Sequence, residues 1–311
     1  CSVAGTSGTL LACDYNGKPK GKALPYFLSL KEYSSEIDQL FSKECAGSSI
    51  SGSVGRAFRL LSLYGNEILL RHQADWVSGW LLNNWEYGEE GNNIRMGWEI
   101  SNNSWPKTFN NLNWFNCLPK VIPSGQIMGK IYKEIANELN LPRDLKIVSG
   151  TTDSNAGFLA TFPEKNDGVT ILGSTTVIKK LVDKPLIGKG ISNHKLLGKW
   201  LCGGASNSGA AILLDFFSIE YINELSKQIN PNKSSGIELI PLSRQGERFP
   251  IDDPYLKPKL EPRPVSDSLY LHAIFEGLAK IEARGWLKFK ELGADLPKQI
   301  ITVGGGAKNI T

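Results

Sequence analysis

Apolar residues recur three and four positions apart between Val54 and Trp85 (Phe58, Leu61 and Tyr64, then Ile68, Leu69, Trp76 and Leu81), which predicts two helices broken at Gly65-Asn66. The same spacing predicts helices over Met128–Asn140, ending before Pro142, over Ser154–Phe162 and Ala210–Gln228, and a long amphipathic one over Ser266–Leu292. Short β-prone runs lie between them. Leu10–Cys13 precedes a turn at Asn16-Gly17-Lys-Pro19, Lys146–Ser149 reads as a buried strand, and Gly168–Val182 alternates around Gly173-Ser-Thr-Thr176 as a hairpin does. Trp200–Cys202 and Gln299–Val303 complete the strands. The Asn-, Trp- and Gly-rich stretch Asn83–Asn116 is irregular, and the Pro-rich stretch Pro250–Pro264 is a surface excursion. Strands alternate with helices in both halves, which predicts α/β architecture in two domains, 1–165 and 166–311, with a cleft where the loops converge.

Composition bounds what such a chain does. The 311 residues suffice for two cores, and 41% hydrophobic with 21% charged residues is the balance of a globular protein. The net charge of +4 is spread along the length, its densest basic stretch being a loose scatter over Lys179–Lys199, so nucleic acid is not the expected partner. Five widely separated cysteines without C-x-x-C spacing read as reduced thiols, and structural zinc is not expected. No apolar run approaches the ~20 residues that cross a bilayer, and the start lacks the order of a secretory signal, so a cytoplasmic protein without membrane association is expected. The chain is also expected to begin and end inside domains, because Cys1–Leu11 already reads as a strand end and its loop, and Asn309-Ile-Thr311 follows a glycine loop directly. Nothing in the pattern speaks to oligomeric state.

The candidate chemistry lies in five stretches where a β-prone run empties into Gly, Ser and Thr: Gly5–Thr9, Ser149–Asp153, Leu172–Thr176, Gly203–Gly209 and Gly304–Asn309. Glycine lets backbone N–H groups approach an anion and hydroxyls add donors, so such loops suit phosphate. Only Ser149-Gly-Thr-Thr-Asp153 carries a carboxylate, which makes Asp153 the candidate for chemistry; a helix cap for the element starting at Ser154 is the other reading of that residue. Familiar alternatives fail. There is no G-x-x-x-x-G-K-[ST], Asn309 stands where a dinucleotide fingerprint needs Gly or Ala, and Thr9 stands where G-x-S-x-G needs its second Gly. His72, His194 and His272 lack metal-ligand spacing.

Six segments in order, Ser2-Val-Ala-Gly-Thr-Ser-Gly-Thr9, His72-Gln-Ala-Asp-Trp76, Gly150-Thr-Thr-Asp-Ser-Asn-Ala-Gly157, Thr170-Ile-Leu-Gly-Ser-Thr-Thr176, Gly203-Gly-Ala-Ser-Asn207 and Val303-Gly-Gly-Gly-Ala-Lys-Asn309, span nearly the whole chain. With them the chain resembles the FGGY carbohydrate kinases, and within that family the D-ribulose kinases and xylulose kinase-like proteins of cyanobacteria and plants. The resemblance implies the two-domain actin-like, hexokinase-like (ribonuclease H-like) ATPase fold, incomplete here at both ends, with residues 1–165 binding sugar and carrying the catalytic base and 166–311 binding ATP. It implies ATP and Mg²⁺ as cofactors, a small-molecule sugar as partner, and phosphorylation of D-ribulose at its 5-hydroxyl, with a D-xylulose kinase or a catalytically silent sugar or nucleotide sensor as alternatives.

The resemblance also distributes roles. Asp153 matches the family's catalytic base and contacts the metal indirectly, through water; a carboxylate there orients the attacking hydroxyl and takes its proton late in a loose transition state. Gly173, Ser174, Thr175 and Thr176 match a phosphate loop, with a plain hairpin turn as the alternative. Gly304, Gly305, Gly306, Ala307 and Asn309, with Lys308 among them, match the adenosine motif, and a tight strand-to-helix turn is the alternative. Gly204 belongs to a further cleft loop. Thr6, Ser7 and Gly8 stand where relatives line the sugar pocket with Gln-x-His, and His72 and Asp75 are candidates on a helix. The tryptophans of Asn83–Asn116 read either as packed core or as a floor for a sugar. Two departures stand out: the opening Asp-x-Gly-Thr loop is absent, so the chain is expected to be inactive as it stands, and Ala23-Leu-Pro-Tyr-Phe27 replaces the Asn-Asp and basic residue that meet sugar hydroxyls in relatives.

Overall fold

The computed structural model describes residues 1–42 and 45–309; Ile310 and Thr311, the end of the expected second domain, lie outside them. The chain forms two compact units, Cys1–Ala160 with His194–Gly198, and Thr161–Asn193 with the residues from Lys199 onward. The mixed strand and helix content matches the α/β expectation.

In the first unit the order is β1 (Ser2–Gly5), β2 (Leu10–Cys13), α1 (Ser34–Leu40), α2 (Ser53–Tyr64), β3 (Leu69–His72), α3 (Gln73–Leu82), β4 (Tyr87–Glu89), α4 (Glu90–Asn93), β5 (Lys120–Ile122), β6 (Ile127–Lys130), α5 (Lys133–Glu138), β7 (Lys146–Thr152) and α6 (Asp153–Leu159). Strands β1, β7 and β6 form one sheet in that order, with β1 parallel and β6 antiparallel to β7. β2 pairs antiparallel with β3, and β4 parallel with β5. Both β2 and β3 are buried along their whole length, β2 as an unbroken apolar run and β3 with Arg71 and His72 after two leucines. Leu10, Ala12 and Leu70 pack with Ile37, Val54 and Leu60 on one face, while Leu11, Cys13 and Leu69 meet Trp85 on the other.

Two expected helices of this unit are corrected. Leu69 belongs to β3 and Ile68 to the bend before it, because pairing with β2 satisfies the Leu69 backbone in the core and outweighs the spacing of the side chains. Met128 likewise sits in β6, on the edge of the β7 sheet, and the helix begins only at Lys133. Gly129, inside that run, was the local signal against a helix. Two of the Asn83–Asn116 tryptophans, Trp105 and Trp114, ring Phe109 at centroid distances of 5.9 and 5.6 Å and help close the core around α2.

The second unit contains β8 (Asp167–Leu172), β9 (Thr176–Val182), the beginning of β10 (Ile191–Leu196, of which the residues from His194 on are counted with the first unit), β11 (Lys199–Ala205), α7 (Ile219–Ser226), α8 (Asp267–Glu291) and β12 (Gln299–Val303). Its sheet has the order β10-β11-β9-β8-β12, with β12 parallel to β8. The Gly168–Val182 hairpin, the long C-terminal helix and the last strand are where the pattern predicted them. Helix α8 starts at Ser266, whose Oγ accepts from Leu269 N at 3.3 Å, and carries Asp267 in its first turn and Lys288 and Lys290 in its last, each sign matched to the helix dipole. The first half of its buried face, Tyr270, Ile274 and Leu278, packs with Ile212, Leu213, Phe217 and Ile222, and the second half meets the sheet, with Trp286 against Gly168 and Gly285 against Ile178. The expected helix over Ala210–Gln228 is instead a 3-10 segment, Ala210–Asp215, followed by α7, because Ser218 caps a new start by accepting from Tyr221 N at 3.2 Å. Strand β10, which pairs with β11, was not read from the sequence because its basic and polar residues hide the alternation.

Candidate functional site

In the first unit the parallel register of β1 and β7 sets Ala4 opposite Thr151 and Gly5 opposite Thr152. Two of the five loops therefore leave the sheet side by side, Thr6-Ser7-Gly8 from one strand and Asp153 from the other. Ligands of open α/β sheets gather at such carboxyl ends of parallel strands. Close approach makes this possible: a Cβ at Gly150 would lie 1.9 Å from Val3 O, and one at Gly5 would lie 3.0 Å from the Ala74 Cβ at the start of α3. Gly150 thus serves β1 rather than phosphate, and Ser149–Thr152 is strand, not loop.

Asp153 is the first residue of α6 and is exposed. The cap of that helix is Thr152, whose Oγ1 accepts from Asn155 N at 3.4 Å, so Asp153 is not needed as a cap. Its Oδ1 accepts from Ser154 N at 2.8 Å, which fixes the carboxylate and leaves Oδ2 open. Thr6 and Ser7 are half-buried, and no described residue engages their hydroxyls. Gly8 has φ +93° and is buried, with Arg56 Nη2 3.0 Å from where its Cβ would stand. Arg56 donates to Tyr26 O, Leu28 O and Ser51 O, tying three segments beneath the loop, and burial with the nearby Arg95 charge lowers its pKa to about 10.

His72 and Asp75 are not at this surface. His72 is 1% and Asp75 3% exposed. His72 Nε2 lies 2.8 Å from Ser53 Oγ, Nδ1 lies 3.6 Å from Asp75 Oδ2, and Asp75 accepts from Glu89 N at 2.9 Å and Asn93 Nδ2 at 3.1 Å. Because His72 closes β3 and points between α2 and α3, it joins those helices within the core, and neither side chain of the pair expected at the substrate reaches the surface. The sequence reading missed the acid beside them. Glu89 accepts from Gly91 N, Asn92 N and Asn92 Nδ2 at 2.7–3.0 Å, and burial pushes its carboxyl up to about 8 against the pull of those donors. An acidic pair just before a short Gly-Asn-Asn run was the available signal.

In the second unit the remaining three loops meet at one end of the sheet. Leu172 pairs with Thr176 across the hairpin, and Val303 lies opposite Ile171, so Gly304–Asn309 leaves β12 beside Gly173–Thr175. Gly304 has φ +98°, and its Cβ would lie 2.7 Å from Leu172 O; a Cβ at Gly306 would lie 2.5 Å from Leu172 Cγ. From the other side Ala210 N donates to Gly173 O at 2.8 Å and Thr176 N to Ser208 O at 2.7 Å, and a Cβ at Gly209 would meet Ser174 O at 2.5 Å. Ser174 is exposed, Thr175 half-buried, and no described residue binds either hydroxyl. Gly305 is exposed with open space at its Cβ position, Ala307 closes a 3-10 turn onto Gly304 O at 3.2 Å, and Asn309 Nδ2 reaches Ser226 Oγ at 2.7 Å.

Two members of the expected set are elsewhere. Gly204 lies inside β11 opposite Ile178, and its missing side chain makes room for Phe249, whose ring atoms would stand 2.4 Å from a Cβ. It is a core packing position, not a loop position. Thr176 is in β9 and 3% exposed, its Oγ1 sealed without a partner. Glu247 was missed: it accepts from Ser206 Oγ at 2.5 Å and from Asn207 N, Arg248 N and Phe249 N, and so anchors the Ser206–Ser208 turn.

No protein-family model matches the chain. Solved structures do. A xyloylose kinase from Brucella ovis aligns over 99% of this chain and 68% of its own at 15% identity, with a TM-score of 0.82. A xylulose kinase from Rhodospirillum rubrum (14% identity, 99% and 68% covered, TM-score 0.81) and a Plasmodium falciparum glycerol kinase solved with ADP (14%, 99% and 68%, 0.80) align equally fully. The chain has the fold of the FGGY-type sugar kinases. That is the expected actin-like ATPase architecture, reached at identities where fold alone is comparable. Among the described residues all five cysteines are free, and no helix is long and apolar enough to cross a membrane.

Proposed function

We propose that this chain is the core of an ATP-dependent sugar kinase in which Asp153 is the general base and D-ribulose is the acceptor, phosphorylated at its 5-hydroxyl. The observation that carries the reading is the β1–β7 register, which sets the unengaged Thr6 and Ser7 hydroxyls next to an exposed carboxylate that is not the cap of its helix. Thr6 and Ser7 bind acceptor hydroxyls, and Asp153 orients the attacking one and receives its proton as the phosphorus–oxygen bond forms. The fold's sugar-kinase relatives, one of them solved with ADP, support the choice of donor. The three convergent loops of the second unit fit a polyphosphate, since Gly173 and Gly305 leave room beside their backbone and the Ser174 and Thr175 hydroxyls are unengaged. Residues 1–165 and 166–311 are then the acceptor and donor domains.

Mg²⁺ fits this arrangement as an ion held by phosphates and water. Among the described residues no three His, Cys, Asp or Glu side chains are grouped to cage a metal, while Asp153 Oδ2 is free to accept from a metal-bound water. When bound, the ion neutralises charge on the phosphates.

A coupled ADP assay of the full-length protein over a panel of pentuloses and polyols tests the proposal. Turnover with D-ribulose that collapses in Asp153→Asn is expected; a preference for D-xylulose moves the substrate, and turnover unaffected by Asp153→Asn removes the base. The silent-sensor reading is separated by calorimetry, in which sugar and ATP bind with no ADP formed.

A further inference from the structure

Strand β3 sends its side chains to two places. Leu70 and His72 enter the core shared with α2, while Leu69 and Arg71 turn to the opposite face of the β2–β3 pair, where Trp85 packs. That face opens into a cavity of about 620 Å³, within the size range of small-molecule sites; Trp85 and Trp105 line it, and none of the residues given a role in the proposed kinase site does.

Arg71 is its unusual member. The side chain is 1% exposed, with Nε donating to Trp85 O at 2.5 Å and Nη1 to Leu70 O at 2.7 Å and Cys117 O at 2.8 Å. Among the described residues no carboxylate pairs with it, and Nη2, which has no protein acceptor, is not sealed from solvent. Burial lowers its pKa to about 10, so it remains a cation at neutral pH. A buried charge of this kind is costly unless something of opposite sign meets it.

The walls suit a sugar. Trp85 and Trp105 offer aromatic surface, and Tyr15, 65% exposed, stands at the rim. Asn84 spends Oδ1 on Glu86 N at 2.9 Å and keeps its amide donors, and exposed Asn116 adds a second amide. Lys120 also lines the cavity, giving two cations against one acid, Glu86. Flat apolar surface for the C–H face of a ring, amides for hydroxyls and an excess of positive charge belong together in few ligand classes. We propose that this cavity binds a sugar bearing one anionic group, the ring against the aromatic wall and the anion on Arg71 Nη2 and Lys120. The site is independent of the kinase reading.

Isothermal titration of the full chain with glucose 6-phosphate, glucuronate, glucose and inorganic phosphate tests it without turnover. The two anionic sugars bind saturably, roughly tenfold or more tighter than glucose or phosphate alone, as expected of a charge-assisted contact added to sugar recognition. Tyr15→Ala and Lys120→Ala, both at exposed positions, each weaken that binding by about threefold with an unchanged circular dichroism spectrum. Arg71→Lys abolishes it, and Asp153→Asn leaves it unchanged. Equal affinity for glucose, phosphate alone binding as tightly as glucose 6-phosphate, no saturable heat, or affinity unmoved in the Tyr15→Ala/Lys120→Ala double variant overturns the proposal.

Discussion

At the end of β1 and β7 the groups on offer are side chains: two free hydroxyls and a carboxylate held by one backbone N–H. At the end of β8 and β12 they are largely backbone, left uncovered at Gly173 and Gly305, where there is room in place of a side chain. Both ends are made the same way, by a parallel strand pair that sets two loops abreast. On the proposed function the difference is one of task. A proton acceptor has to be one atom with one identity, whereas a chain of phosphates is gripped by many weak dipoles that no single side chain could supply at that spacing.

Substitutions that exchange one kind of group for another test the contrast, beginning with the largest expected effect. Asp153→Asn keeps shape and removes the proton acceptor; kcat in the ADP assay falls about 10²–10⁴-fold with little change in either KM. A large KM effect with unchanged kcat would make Asp153 a binding group and erase the contrast. Gly150→Ala places a methyl group against Val3 O and separates β1 from β7, with a loss of about 3 kcal/mol or more in chemical denaturation. Gly304→Ala forces a side chain into φ +98° against Leu172 O; a loss of roughly 1–3 kcal/mol is expected, with a raised KM for ATP and an unchanged KM for sugar. Thr6→Val, which retains shape and loses the hydroxyl, raises the sugar KM by about threefold to tenfold and leaves ATP alone.

The smallest effect concerns the buried acid behind the first site. Glu89 is held up to about 8 in the fold against an ordinary 4.5, so between those pH values the native state keeps a proton that the unfolded chain has released. Stability therefore falls as pH rises through that window, and Glu89→Gln flattens the slope in pH-dependent denaturation. A slope of the opposite sign would mean that the Gly91 and Asn92 donors outweigh burial.

The five Gly, Ser and Thr stretches, the β8–β9 hairpin, α8 and the last strand were legible because each is set by neighbours in the chain: glycine where φ is positive, alternation across a hairpin, Ser266 before a long periodic run. The roles within the stretches were less so. Gly204 and Gly304 look alike in sequence, yet one makes room for Phe249, about forty-five residues further along, and the other for the carbonyl of Leu172. His72 read as helical because its neighbours have helical spacing; its burial depends on Ser53 and Asp75 arriving from two other elements.

The chain's order of motifs thus determined the architecture and the residue that carries the free carboxylate, since local backbone preference and the alternation of apolar positions are written in contiguous residues. Only the tertiary structure decided which glycines face a loop and which face a ring, that His72 and Asp75 belong to the core, and that Arg71 ends in an open cavity. Those outcomes depend on close packing between segments distant in sequence, and the space left beside any residue is a property of its neighbours in the fold.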